Sequence, residues 1–127
     1  MIDNKTIADP ASRYGSPVAA TRSFTFQRIT GALNILFLGF LVWLVVNLAG
    51  AGRAEFVATV ADPLVALVLA LLIVNVCFHM RLGMREIIED YVHDPRLGRL
   101  ASGVNDIFAI LVALAALAAL IKIVFWG

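Results

Sequence analysis

The chain has little charge and almost no cysteine. Of its 127 residues only 15% are charged and 61% are hydrophobic, and the net charge is +1. A soluble domain carries about a quarter charged residues, so the composition excludes a separate soluble domain. The near-neutral balance, with no basic cluster, argues against a nucleic-acid partner. The single cysteine, Cys77, has no partner for an intrachain disulfide. Its position in an apolar run is typical of a small core residue.

What the chain does contain is three long apolar runs. A hydrocarbon core about 30 Å thick is crossed by about 20 apolar residues of helix. The runs at 29–49, 64–88 and 104–126 meet or nearly meet this length. The sequence therefore predicts an all-α membrane protein with three transmembrane helices. Residues 1–127 form a single membrane domain in this interpretation, with a polar N-terminal arm over residues 1–28.

The distribution of Lys and Arg orients the three spans. The arm carries Lys5, Arg13, Arg22 and Arg28, and the first connection has only Arg53. The end of span two and the connection that follows it carry Arg81, Arg85, Arg96 and Arg99. By the positive-inside rule the N-terminus is cytoplasmic and the C-terminus lies outside. Acidic residues in the arm argue against a mitochondrial transit peptide. We therefore expect a multi-pass protein of a bacterial inner membrane.

Glycine and proline predict where the helices end. The Gly-Ala-Gly run at 50–52 ends span one, and Asp62-Pro63 begins span two in the order N-cap, first helical residue. Asp94-Pro95 is expected to stop the extension of span two. Ser102 or Asn105 is expected to cap span three.

One face of span two carries the polar residues. Asn75, His79, Gly83, Glu86 and Asp90 follow at steps of 4, 4, 3 and 4, which places them within an arc of about 80° on a helix. An imidazole at the end of a membrane helix is costly without a partner, so His79 is a functional-site candidate. The residues alone leave open a structural, hydrogen-bonded histidine.

A haem is one ligand that this face could hold. Neutral imidazole is a good axial ligand of haem iron, and Gly83 would allow a close approach. Arg28, at the boundary of span one, could neutralise a haem propionate, or it could be a snorkelling topology anchor. The only other histidine, His93, is fourteen residues beyond His79, about 21 Å along a helix. A second axial imidazole must therefore come from another polypeptide.

The motif His79-x-x-x-Gly83-Met84, followed by Asp90-Tyr91-Val92, resembles the signature of the hydrophobic membrane anchor subunit of succinate dehydrogenase. This is the smaller of the two anchors of respiratory complex II, and the resemblance extends to the length and the three-helix layout. Arg28-Ile29-Thr30-Gly31 agrees with it but is less specific. That segment is also similar to the larger cytochrome b subunit, in which a histidine precedes the arginine where this chain has Gln27.

The resemblance implies roles for four residues. His79 would ligate the iron of haem b, and Arg28 would neutralise a propionate. Tyr91 would donate a hydrogen bond to a quinone carbonyl, either ubiquinone or menaquinone, with Asp90 in support. Without the resemblance, Tyr91 could equally be an interfacial aromatic residue.

The resemblance also implies partners and a pathway for electrons. A flavoprotein subunit oxidises succinate in the tricarboxylic acid cycle, and an iron–sulfur subunit passes single electrons to quinone at the membrane. This chain would pack against the cytochrome b anchor subunit, which would share haem b with it, and alone it would have no enzymatic activity. Two alternatives remain: the anchor of a fumarate reductase or another quinone-linked dehydrogenase, and a small proton or cation transporter subunit using Glu86 and Asp90. The second is disfavoured because those carboxylates lie at the boundary and not near the bilayer midplane.

Overall fold

A computed structural model describes residues 17–127, and the earlier part of the predicted arm lies outside the described residues. The described chain consists of four helices: α1 (Pro17–Leu48), α2 (Arg53–Val60), α3 (Pro63–Tyr91) and α4 (Pro95–Trp126). Helices α1, α3 and α4 are long and apolar enough to cross a membrane. The predicted all-α fold with three membrane-spanning candidates is confirmed. The remainder of the predicted arm, from Pro17 onward, is the first part of α1.

The end of α1 and the start of α3 follow the sequence signals. Gly50 has a φ of +81°, in the left-handed region that glycine adopts without strain, directly after α1. Asp62 caps α3, because its Oδ1 accepts hydrogen bonds from the backbone N–H groups of Leu64 and Val65 at 3.0 and 3.2 Å. Between these two points lies α2, a helix of 8 residues that we did not predict.

The start of α4 differs from the prediction. Asp94 caps it, with Oδ1 accepting from the backbone N–H of Arg96 at 2.7 Å, and Pro95 is the first helical residue. Ser102 and Asn105 therefore lie inside α4, so the prediction that one of them caps the third span is wrong. The Asp-Pro pair is the same N-cap signal that begins α3, since proline suits the first turn of a helix as well as it ends the preceding one.

Helix α3 is central, packing against α1 on one side and α4 on the other. The residues buried within the chain are mostly small or aliphatic: Thr30, Leu44, Val60, Cys77, Leu82, Ile88, Asn105, Ala109 and Leu120. The burial of Cys77 agrees with its interpretation as a core residue. In the most apolar stretch of each long helix no more than 11% of residues are buried inside the described chain. The rest of that apolar surface must be covered by lipid or by another protein.

A polar clamp joins α3 to α4. The Nε atom of Arg81 donates to Asp106 Oδ1 at 2.7 Å, and the buried Asn105 donates from Nδ2 to the carbonyl oxygen of Arg81 at 2.9 Å. Charged residues within membrane helices characteristically face another helix and pair there. Arg81 thus points toward α4, away from the stripe of His79.

Candidate functional site

The imidazole of His79 lies between α3 and α1, where it meets Thr30. Its Nδ1 is 2.9 Å from the hydroxyl oxygen of Thr30, and that hydroxyl is 2.7 Å from the carbonyl oxygen of Phe26. A hydroxyl has one hydrogen, and a carbonyl can only accept. When Thr30 donates to its own helix, its lone pair accepts from an Nδ1–H of the ring. The neutral imidazole then has its lone pair on Nε2, and within the described residues His79 makes no other hydrogen bond.

The ring also contacts the backbone of α1. A Cβ built on Gly31 would lie 3.3 Å from Cε1 of His79, tighter than an ordinary van der Waals contact. Glycine at this position therefore lets the imidazole approach the helix backbone beside Thr30.

An amide pair lies one helical turn away. Asn75 donates from its Nδ2 to Asn34 Oδ1 at 2.7 Å and to the carbonyl oxygen of Thr30 at 3.0 Å. These bonds hold α1 and α3 at a fixed register directly beside the imidazole. We had placed Asn75 on the polar stripe, but we had singled out neither Thr30 nor Asn34 as its partner. The signal for Asn34 was present, since Thr30 and Asn34 are the two polar residues in the first part of the apolar run at 29–49 and are one helical turn apart.

One turn further along α3, the side chain of Gln27 from α1 lies against Gly83. A Cβ on Gly83 would lie 3.0 Å from Nε2 of Gln27, so glycine at this position leaves room for this side chain of α1. The Oε1 atom of Gln27 is buried and has no hydrogen-bond partner in the described part of the chain. The stripe is therefore divided: its first three residues face α1, whereas Glu86 and Asp90 are exposed.

Arg28 is exposed on a different side of α1. Its guanidinium carbon lies 4.7 Å from the ring centroid of Phe24, a cation–π contact along the helix. Arg28 and Thr30 are two positions apart, about 200° around the helix axis. Gly31, which also contacts the ring, is about 60° from Arg28 around the axis. Arg28 thus lies beside the face of α1 that contacts His79, and within the described residues the two predicted site residues form no hydrogen bond with each other.

Asp90 and Tyr91 lie at the end of α3. Both are exposed, Tyr91 to 78%. Because α3 is continuous from His79 to Tyr91, the two positions are about 18 Å apart along the helix axis. Asp90 and His93 line an open cleft of about 560 Å³ at the turn into α4. His93 thus lies just beyond the end of α3, next to Tyr91 in the chain. It is too far from His79 for the two imidazoles of one chain to bind the same iron.

The donor set fits a haem better than a metal ion held by protein side chains alone. Within residues 17–127 there is no group of three or more His, Cys, Asp or Glu side chains that could hold a metal ion. Haem iron receives its in-plane ligands from the porphyrin and needs only axial ligands from protein. One imidazole with its Nε2 lone pair available satisfies that requirement from this chain's side.

Comparison with known protein families identifies a family for this chain. The family model of the succinate dehydrogenase/fumarate reductase transmembrane subunit matches residues 1–121, which include α1 to α3 and most of α4. Searches among curated proteins and among solved structures find no match. The match covers nearly the whole chain and agrees with the three apolar helices. The chain therefore belongs to the succinate dehydrogenase/fumarate reductase transmembrane subunit family.

Proposed function

We propose that this chain is the smaller hydrophobic anchor subunit of a bacterial succinate dehydrogenase. In this role it lies in the inner membrane with its N-terminus in the cytoplasm. Its partners are a cytochrome b anchor subunit, an iron–sulfur subunit and a flavoprotein subunit. The observation that carries the proposal is the hydrogen bond from His79 Nδ1 to Thr30, which leaves Nε2 able to ligate the iron of haem b.

The chain's contribution to the haem site is to hold one imidazole. A bound haem b would supply a one-electron redox centre within the membrane. Thr30 fixes the Nδ1 side of His79, and Gly31 leaves room for the ring against α1. A second imidazole for the haem would come from the partner anchor, because the only other histidine of the chain lies past the end of α3.

Tyr91 and Asp90 are the proposed quinone residues. A phenol is neutral near pH 7, so Tyr91 can donate a hydrogen bond to a quinone oxygen without supplying a charge. Its exposure at the end of α3 leaves the hydroxyl accessible to a pocket completed by another subunit. Asp90 lines the cleft at the turn into α4, where its carboxylate can accept a hydrogen bond.

Arg28 is the proposed partner of a haem propionate. The guanidinium is exposed and, within the described residues, makes no salt bridge, so its charge is available to an anion. Because the Arg28 guanidinium is exposed at the surface of α1, a propionate could meet it where another subunit covers that surface.

The main alternative within the family is the anchor of a fumarate reductase. Both enzymes connect a dicarboxylate-converting subunit to a membrane quinone, and the family match includes both. Identifying the co-purifying subunits, and comparing succinate oxidation with fumarate reduction in the purified assembly, would separate them. The transporter alternative would need proton or cation flux in proteoliposomes that contain no dehydrogenase.

The decisive experiment tests His79 against the other histidine. The tagged chain is purified in mild detergent with its partners, and reduced-minus-oxidised visible spectra are recorded for the wild type, His79→Ala and His93→Ala. We expect His79→Ala to lose or strongly shift the b-type spectrum while the subunits still assemble. His93→Ala should keep the wild-type spectrum. An unchanged spectrum in an assembled His79→Ala complex would refute the ligand assignment.

A further inference from the structure

We propose that Thr30 is a positioning residue that sets the tautomer and the ring orientation of His79, and thereby the redox properties of the haem that His79 would bind. This inference rests on the proposed function of His79 as an axial ligand. It concerns a residue of α1 that would not touch the iron and acts only through the imidazole.

The orientation of the Thr30 hydroxyl is fixed by its own helix. Thr30 is buried, with 7% of its surface exposed. Its hydroxyl lies 2.7 Å from the carbonyl oxygen of Phe26 and 3.2 Å from that of Gln27. A β-branched side chain is also stiff about χ1. The hydroxyl hydrogen therefore points along α1, and the lone pair is left for His79 Nδ1.

The backbone of Thr30 is fixed from the other helix. Asn75, one turn before His79 on α3, donates to the Thr30 carbonyl oxygen at 3.0 Å. The two helices are thus connected twice within one turn, through the carbonyl and through the hydroxyl of the same residue. This double connection restricts both the distance between Thr30 and the imidazole and the rotation of the ring.

The chemical consequence is a particular kind of ligand. With the Nδ1 proton held by Thr30, the imidazole presents Nε2 and not Nδ1 to the iron. A neutral hydroxyl is also a weaker acceptor for the Nδ1–H group than a carboxylate would be. Outer partners of this type tune metal sites, and their removal costs about 10–100-fold in metal affinity or activity.

The test compares three threonine variants in the assembled, purified complex. Thr30→Val keeps the shape and removes the hydroxyl, whereas Thr30→Ser keeps the hydroxyl. Thr25→Val is the matched control, since Thr25 makes the same type of bond, to the carbonyl oxygen of Thr21 at 2.9 Å, on an exposed part of α1. The measurements are the rate of haem loss to an acceptor protein, the haem midpoint potential and the low-spin electron paramagnetic resonance spectrum.

We expect Thr30→Val to lose haem roughly tenfold faster or more, with a shifted potential and shifted resonance positions. Thr30→Ser should restore all three properties, and Thr25→Val should match the wild type. Wild-type potential and resonance positions in assembled Thr30→Val would overturn the positioning role. If Thr30→Val does not assemble, Thr30→Cys replaces it. Resonance spectra that differ between Thr30→Cys and Thr30→Ser support the role, and identical spectra overturn it.

The same preparation separates this inference from the proposed function. If His79→Ala retains the wild-type spectrum, His79 is not the ligand and both proposals fail. If His79→Ala loses the haem while Thr30→Val is identical to the wild type, only the positioning role fails.

Discussion

Gly31 and His79 are in close contact across the interface of α1 and α3. A Cβ on Gly31 would be 3.3 Å from Cε1 of the imidazole and 3.9 Å from Nδ1. Gly31, which follows Thr30 in the chain, therefore also determines the position of the ring. Thr30 supplies an acceptor on one side, and the missing side chain of Gly31 supplies the space.

Gly31→Ala should disturb the imidazole without removing any hydrogen-bonding group. At a distance of 3.3 Å from the added Cβ, the imidazole must move by a few tenths of an ångström. Overpacking of this kind costs about 1–3 kcal/mol. We expect an assembled complex with faster haem loss and a shifted low-spin resonance spectrum. Gly39→Ala is the matched control, since it lies on the same helix with no atom within 4 Å of an added Cβ. Indistinguishable spectra for the two alanine variants would show that the Gly31 contact does not constrain the ring.

The clamp between α3 and α4 should contribute to stability. Asp106→Asn removes the charge that faces Arg81 at 2.7 Å, in a pair whose side chains are only about one-third exposed. We expect the free energy of unfolding to fall by about 1–2 kcal/mol. This is less than the full worth of a hydrogen bond to a charged group and more than that of an average polar contact between membrane helices. The measurement is thermal unfolding or denaturant titration of the purified complex in detergent.

Glu89→Gln provides the comparison for Asp106→Asn. Oε1 of Glu89 lies 3.6 Å from Nε of Arg85 on one face of α3. Both side chains are more exposed than those of Arg81 and Asp106. An exposed pair at this spacing is worth about 0.3–0.5 kcal/mol. Equal effects of the two substitutions would mean that the clamp has no greater role than a surface ion pair.

The fold could be predicted to the extent that it depends on long apolar runs and on local signals. Those runs gave the three candidate spans, and Asp62-Pro63 gave the start of α3. The start of α4 was missed because Asp94-Pro95 was interpreted only as a stop. Helix α2 was missed because a segment of 8 residues is too short for a periodic pattern to stand out.

The site could be predicted on one helix but not between helices. Periodicity placed Asn75, His79 and Gly83 on one face of α3, and all three do contact α1. Which residues of α1 they meet depends on the register and rotation of the two helices, which no single-helix pattern contains. The structure shows Thr30 as the hydrogen-bond partner of His79, a pairing that the sequence did not predict. The roles of Arg28, Asp90 and Tyr91 remain predictions.

The chain expressed alone should not form a stable haem site with two histidine ligands. His79 and His93 are separated by the last turns of α3 and the turn that follows it, so they cannot bind opposite faces of one iron. We expect the purified, monomeric chain mixed with haem to give no stable low-spin signal of this type. Adding the partner anchor should produce it. Its appearance in a strictly monomeric preparation would contradict the need for a second chain.

Tyr91→Phe tests whether α3 serves two separate sites. The substitution removes a hydroxyl and keeps the ring, so the fold and the haem site, about 18 Å away along the helix, should persist. Losing one neutral hydrogen bond costs about 0.5–1.5 kcal/mol. We therefore expect quinone turnover to fall roughly three- to tenfold. Visible spectra check the haem, and quinone reduction by succinate gives the rate.

Two controls separate a quinone role of Tyr91 from a general effect on the membrane boundary. Succinate oxidation with an artificial acceptor that takes electrons upstream of the quinone should stay near the wild-type rate, because it does not need the hydroxyl. Trp126→Phe changes an aromatic residue that is 76% exposed, close to the 78% of Tyr91, at the opposite end of the bundle, and should leave both rates unchanged. If Tyr91→Phe lowers both rates together, or leaves quinone turnover intact, Tyr91 is an interfacial aromatic residue and the quinone binds without its hydroxyl.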